Sequence, residues 1–247
     1  MTGGYYGSGS ALDGLREVRS AEALERCVLE IGFLPLFAGG IEGFSVEERV
    51  PRGLWWTGDA ASDPWVWRET IAAGHRVAYG KFFGGRAGFI SPEWLPAFAN
   101  CRRDGYDFDS LWQSGLADRR ARSIMACFMD VEADEGPVFT SGACLSTELK
   151  IRAGFGKGGE KNYPGILTGL QMQLYLVISG FRRRVNRRGE AYGMPVSLLE
   201  PPEAIWGREL ISSAYAQAPA ASRAHIAAHL RALCPCAADA DNARLVG

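Results

Sequence analysis

The sequence predicts an α+β protein, mainly helical, with small β-hairpins. Three observations predict it. Apolar residues recur at helical spacing in several segments that carry capping residues. Two pairs of short strand-like runs are joined by glycine-bearing tips. Across residues 136–201 the order is helix, helix, hairpin, the order of a winged helix-turn-helix unit, which meets nucleic acid or another protein. The 247 residues suffice for one large domain or two small ones, and 47% hydrophobic against 22% charged content is that of a globular chain with a core.

In the first half, residues 21–33 place Leu24, Val28, Leu29 and Ile31 at near-helical spacing, with Ser20 as cap and Gly32 at the end. Residues 39–43 read as a loop, and 51–63 as irregular chain with Trp55 and Trp56 packed. Asp63 caps a helix with Pro64 at its first position, ended by Gly74. Residues 75–83 and 86–91 flank Gly84-Gly85, a two-residue hairpin turn. Ser91-Pro92-Glu93 opens a helix to about Arg102. The two halves thus read as distant repeats of one winged unit, without a fixed period.

Residues 103–115 are polar and acidic, a connector. Residues 116–132 form an amphipathic helix with Ile124, Met125, Cys127, Phe128 and Val131 inward, broken by Gly136-Pro137. A short helix spans 145–153, capped by Ser146 or a residue before it, and 154–161 is a turn. A third helix spans 164–179. Strands 180–186 and 191–199 form the hairpin, tipped by Arg187-Arg188-Gly189, and 203–215 and 222–233 are terminal helices.

On the third helix, Ile166, Leu167, Leu170, Leu174, Val177 and Ile178 make one apolar stripe. Thr168, Gln171, Tyr175 and Ser179 make the opposite edge, with Met172 and Leu176 beside them. Two readings stand. A neutral edge of amide and hydroxyl suits a DNA groove; its apolar neighbours suit packing against another domain. Residues 162–181 carry no charge, but Gln171 and Gln173 at their centre are costly in hydrocarbon, so a buried helix is expected and no membrane span.

Net charge is −1, so no global field recruits a polyanion. Residues 150–190 nevertheless hold nine Lys/Arg against two Glu, a local +7 that leaves −8 to the rest. Five of the nine, Arg182, Arg183, Arg184, Arg187 and Arg188, lie on the one hairpin. The alternative is an edge strand charged only to prevent pairing. The opening MTGGYYGSGS is Gly/Ser-rich, expected to be disordered, and has neither the basic start nor the apolar core of a signal peptide. With six Cys and no disulfide pattern, a cytoplasmic setting with reduced thiols is expected.

His225-x-x-x-His229 before Cys234-x-Cys236 has the letters of a zinc site, but Cys-Pro-Cys is poor ligand spacing; neither metal nor cofactor is expected. GFGKGG at 154–159 lacks the Gly-Lys-Ser/Thr ending of a phosphate loop and reads as a turn whose Lys157 touches a phosphate backbone. His75 reads as structural in a strand. Glu30, Glu42, Glu47, Glu48, Asp104, Asp107 and Asp109 are carboxylates among which spacing does not choose.

The helix GILTGLQMQLYLVISG, the hairpin FRRRVNRRGEAYGMPVSLLEPPE and, more loosely, VAYGKFFGGRAGFISPEWLPAF together resemble the winged-helix DNA glycosylase family typified by AlkZ and YcaQ. The likeness covers about two-thirds of the chain. It implies several winged units forming a basic channel for DNA, and removal of alkylated bases. It also implies a catalytic Gln-x-Gln or Gln-x-Asp after an early helix. Residues 31–46, the corresponding region, contain no Gln, and Gln171-Met172-Gln173 lies in the third helix of the C-terminal unit, so no catalytic role is carried over.

The expected organisation is a tail (1–19), an N-terminal winged-helix-like region (20–115) and a C-terminal winged-helix domain with terminal helices (116–247). Binding of double-stranded DNA through Lys157, Lys161, Thr168, Gln171, Tyr175, Arg182, Arg184, Arg187 and Arg188 is the leading expectation. The alternatives are a base-excising glycosylase with a rearranged acid such as Glu42 or Glu47, and a scaffold whose wing binds an acidic protein.

Overall fold

The computed structural model describes residues 18–130, 138–140 and 142–247. The expected disorder of the opening segment, the inward Val131 and the Gly136-Pro137 break lie outside those residues.

Helix α1 (Ala21–Ile31) starts where the Ser20 Oγ accepts the Ala23 N–H at 3.1 Å. Leu24, Cys27, Val28 and Ile31 recur every three or four residues and form its buried face. Gly32 ends it at φ +90°, where a Cβ would lie 2.5 Å from the Trp94 indole nitrogen; only glycine fits. Strand β1 (Phe33–Pro35) is buried throughout. The Ser45 hydroxyl accepts the Glu48 N–H at 3.3 Å and caps α2 (Val46–Arg49). Helix α3 (Pro64–Gly74) is capped by Asp63. Strands β2 (Ala78–Phe83) and β3 (Arg86–Ile90) close around Gly84 and Gly85, both at the positive φ that a two-residue I′ turn needs. β3 lies between β1 and β2, antiparallel to both.

Helices α4 (Leu95–Arg103) and α5 (Phe108–Gln113) lead to the second half. It comprises α6 (Arg119–Met125), a small ribbon of β4 (Met129–Asp130) and β5 (Val138–Phe139), then β6 (Cys144–Leu145), α7 (Ser146–Arg152), α8 (Tyr163–Met172), β7 (Val177–Val185) and β8 (Ala191–Glu200). β8 lies between β6 and β7. Apart from the inserted β4–β5 ribbon, the order helix, strand, helix, helix, strand, strand therefore occurs twice, each time with the first strand at an edge and the last in the centre. The protein is α+β, mainly α, with small antiparallel sheets, as the sequence predicts.

The chain closes with α9 (Pro202–Trp206), α10 (Arg208–Ile211), α11 (Pro219–Leu233) and α12 (Asp239–Val246). α11 packs on α4, where the Asn100 amide donates to the Ser222 hydroxyl at 2.9 Å. Arg102 donates to the Leu245 and Val246 carbonyls at 2.9 and 3.0 Å and pins α12. Among the described residues, no helix is long and apolar enough to cross a membrane. No disulfide joins any of the six cysteines.

Several sequence expectations are corrected. The third helix stops at Met172, and Val177, Ile178 and Ser179 belong to β7. Leu174 turns the chain at φ +62°, and buried Arg103 holds that turn by donating to the Gln173 and Leu174 carbonyls. The expected connector contains α5, and Arg103 is its most buried charge. The helix expected over 116–132 is shortened to α6, followed by the β4–β5 ribbon. Gly207, at φ +85° and ψ 144°, splits the helix expected over 203–215 into α9 and α10. Trp55 is packed as expected, but Trp56 is 61% exposed. His75 lies not in a strand but at the C-cap of α3.

Candidate functional site

The two halves meet where α3 and β2 pack on β7. Backbone and side chain both join them. The Lys81 N–H donates to the Gln171 Oε1 at 3.1 Å, and a His75 ring nitrogen lies 3.0 Å from the Ser179 carbonyl. Beside this joint lies a cleft of about 680 Å³. From the first half, Phe37, Trp65, Arg68, Tyr79, Lys81 and Arg86 line it; from the second, Phe181, Met194, Pro195 and Ser197.

Helical spacing puts Trp65 and Arg68 on one face of α3, and strand alternation puts Tyr79 and Lys81 on one face of β2. The Arg68 guanidinium lies between two rings, 3.7 Å from the Trp65 centroid and 4.2 Å from that of Phe181. It is 3% exposed, its Nε has no hydrogen-bond partner among the described residues, and Glu69 stands 3.5 Å away. Burial pulls the Arg68 pKa down and pushes the Tyr79 phenol up to about 12, so at neutral pH the cleft holds a cation and a neutral hydroxyl.

An aromatic shelf adjoins the cleft. Buried Asp63 accepts the N–H groups of Trp56, Gly58 and Trp65 at 3.2, 2.8 and 2.9 Å. This clamp fixes Trp56 at φ +66° with its ring 4.6 Å from that of Trp65 and near-parallel to Phe37. A second hollow, of about 530 Å³, shares Phe37 and Arg86 with the cleft and is closed by Asp241 and Arg244 of α12. Residues 31–46 thus build β1 and the loop beside both hollows. Neither is lined by Glu42 or Glu47, and among the described residues the cleft lining holds no carboxylate or carboxamide.

The arginine hairpin is β7–β8. Arg182, Arg183 and Arg184 lie on the outer part of β7, Arg187 and Arg188 in its tip; all five lie at the surface, and none is ion-paired among the described residues. The tip is shaped by Asn186, whose Oδ1 accepts the N–H groups of Arg188 and Glu190 at 2.8 and 3.0 Å. Lys157 and Lys161 are exposed in the α7–α8 turn, where Lys161 shares an open groove with Arg119 and Arg120. Thr168 is half-buried, and its methyl group faces Gly85.

The outer polar edge expected on the third helix does not exist. Gln171 is 2% exposed and committed to the joint, its Nε2 donating to the Leu167 carbonyl at 3.3 Å. Tyr175 is equally buried and donates to the Tyr106 carbonyl at 2.8 Å. Once the chain turns at Leu174, helical angles no longer describe these positions. The tempting motifs are also accounted for. Trp94 stacks on His225 and His229 with ring centroids 4.7 and 4.2 Å away, and the His229 Nε2 lies 2.9 Å from the Ile31 carbonyl. Glu47 and Glu48 accept backbone N–H groups of Ala38 and Gly43, both at 2.9 Å. Asp107 and Asp109 pair with Arg208 at 2.9 and 3.1 Å.

Sequence reasoning missed Arg68, Tyr79, Phe181 and the cleft they form. Two signals pointed there: Trp55, Trp56 and Trp65 crowd one short stretch, and Trp65-x-x-Arg68 shares a helix face. A family model described as AlkZ related matches residues 18–247. No curated protein and no solved structure gives a significant match.

Proposed function

Because the chain belongs to the AlkZ-related family, we propose that it binds double-stranded DNA through two winged-helix units, with β7–β8 as the wing that meets the phosphates. The repeated order of elements, with the last strand central in each sheet, supports the winged-helix reading. One observation carries the DNA reading: five surface arginines on one hairpin, none ion-paired among the described residues, in a chain whose net charge is −1. Five cations on one hairpin form a local positive patch open to an outside polyanion.

In this reading Arg182, Arg184, Arg187 and Arg188 contact phosphates, with Lys157, Lys161 and Thr168 on the flanking α7–α8 region. Gln171 and Tyr175 take no part, since each spends its polar group inside the protein. Such contacts position a duplex without reading its sequence. Six cysteines outside any disulfide suit a cytoplasmic setting. Duplex binding should weaken steeply with salt, with a log–log slope of about −0.9 per phosphate neutralised. Replacing Arg187 and Arg188 by Ala should weaken all sequences alike, flatten the slope and leave the unfolding midpoint in place. Fluorescence anisotropy against salt is the test; a duplex that is not retained at low ionic strength, or a double variant that binds normally, defeats the proposal.

A further inference from the structure

The hollow beside β1 owes one wall to the last helix. Phe37, Phe44 and Phe83 bring ring faces to it from the first half, beside Arg86, and Asp241, Arg244 and Leu245 of α12 form the facing side. That helix is fastened unequally. At its C-terminal end Leu245 and Val246 are buried, Arg102 donates to both their carbonyls, and Arg223 donates to the Gly247 carbonyl. At its N-terminal end no side chain caps it, and Asp239 has an exposed pair with Arg231 at 3.2 Å, of a kind that contributes little. The link back to α11 is a short turn at 234–238, closed by the Ala237 N–H on the Cys234 carbonyl at 3.1 Å.

The contact with the hollow is weaker still. Asp241 sits over Gly40, where a Cβ would lie 1.9 Å from its Oδ1. Its ion-pair partner among the described residues is Arg244 of its own helix, at 3.4 Å, so the carboxylate meets bare main chain and no cation of the loop. Asn242, on the middle turn, opposes docking outright. It is 2% exposed, and neither its Oδ1 nor its Nδ2 has a partner among the described residues. Docking α12 takes a whole carboxamide out of water without replacing its hydrogen bonds, and lifting α12 gives them back. From these opposed contacts we propose that α12 is a hinged cover of the hollow. It turns on 234–238, is latched by Arg102 and Arg223, and lifts while the rest of the fold stays closed. Lifted, it opens three ring faces beside Arg86 to a compact apolar anion.

Hydrogen exchange followed by mass spectrometry tests the opening, and anilinonaphthalene sulfonate tests what it exposes. Neither measurement needs nucleic acid, so the outcome is independent of the wing. Amides of α12 should exchange at least about tenfold faster than those of α4 and α11, at a rate that low urea does not change, as local opening requires. Asn242→Leu keeps the branched shape and removes both polar atoms. It should slow exchange in α12 about tenfold, the equivalent of relieving one unpaired buried group. Dye affinity should fall by the same factor, because a ligand of the open form binds in proportion to the open fraction. Asn242→Ala removes the same atoms without adding volume and should act in the same direction. The inference is overturned if α12 exchanges only together with α4 and α11, if neither substitution slows it, or if dye binding is absent or does not follow the exchange.

Discussion

A single guanidinium, that of Arg103, ends one helix and anchors another. It donates to the carbonyls at the end of α8, pairs with Glu203 of α9 at 2.5 Å, and lies 4.5 Å from the Tyr175 ring centroid. Asp107 stands 3.5 Å away, and the Arg103 side chain is fully buried. The surrounding negative groups, Glu203 foremost, outweigh burial and raise its pKa above the ordinary arginine value. Arg103→Met would strand Glu203 and two carbonyls in the interior, an expected loss of about 3–5 kcal/mol in urea unfolding. Loss below about 1 kcal/mol would show the hub to be dispensable. Tyr79 permits a finer test. The folded protein keeps the Tyr79 proton until about pH 12, whereas the unfolded chain releases its own near 10. Wild-type stability is therefore intact below pH 10 and falls between 10 and 12, relative to Tyr79→Phe, by about 2–3 kcal/mol. Parallel pH profiles of the two proteins would contradict the buried phenol.

At the scale of elements, legibility follows the range of the determining interaction. Ser20 and Asp63 act within their own first helical turns, and Gly84-Gly85 acts within one hairpin, so α1, α3 and the β2–β3 turn are read directly from residues in sequence. The end of α8 is different. Residues 164–179 are apolar enough to satisfy helix and strand alike, and the decision comes from Arg103, some seventy residues upstream. The break at Gly207 is local but easily overlooked, because an isolated glycine inside a helical pattern is tolerated. Its φ of +85° and ψ of 144° lie in a region that is essentially glycine's alone, and no heavy atom lies within 4 Å of the place an alanine Cβ would take. Gly207→Ala therefore meets no steric obstacle and isolates backbone strain. The expected cost is about 1–3 kcal/mol by thermal or urea unfolding. An unchanged midpoint would mean that α9 and α10 readily join into one helix.

At the scale of the whole molecule the cleft lies at the joint between halves, which is why the arginine hairpin was legible and the cleft was not. Five arginines on one hairpin are a property of consecutive residues. The cleft needs α3, β2 and β7 brought together, and nothing in the sequence pairs Arg68 with Phe181. The same joint bears on base excision. Releasing a base requires a group that steadies the developing sugar cation or activates water beside an extruded nucleotide. Gln171-Met172-Gln173 offers two amides, but the structure divides them. Gln171 bridges the halves through the Lys81 N–H, and Gln173 caps α8 at the surface. Gln171→Ala should therefore act on stability, by about 1–3 kcal/mol for the unpaired Lys81 N–H, and Gln173→Ala on neither stability nor chemistry. Gln171 and Gln173 are therefore expected to support little or no base release: alkylated duplex DNA incubated with the protein should show no release that depends on either amide. Release abolished by Gln171→Ala in a folded variant would overturn the assignment of Gln171 to the joint alone. Release that persists in both glutamine variants would place the catalyst on a carboxylate instead, with Glu42 of the loop beyond β1 and Glu47 of α2 the first to replace.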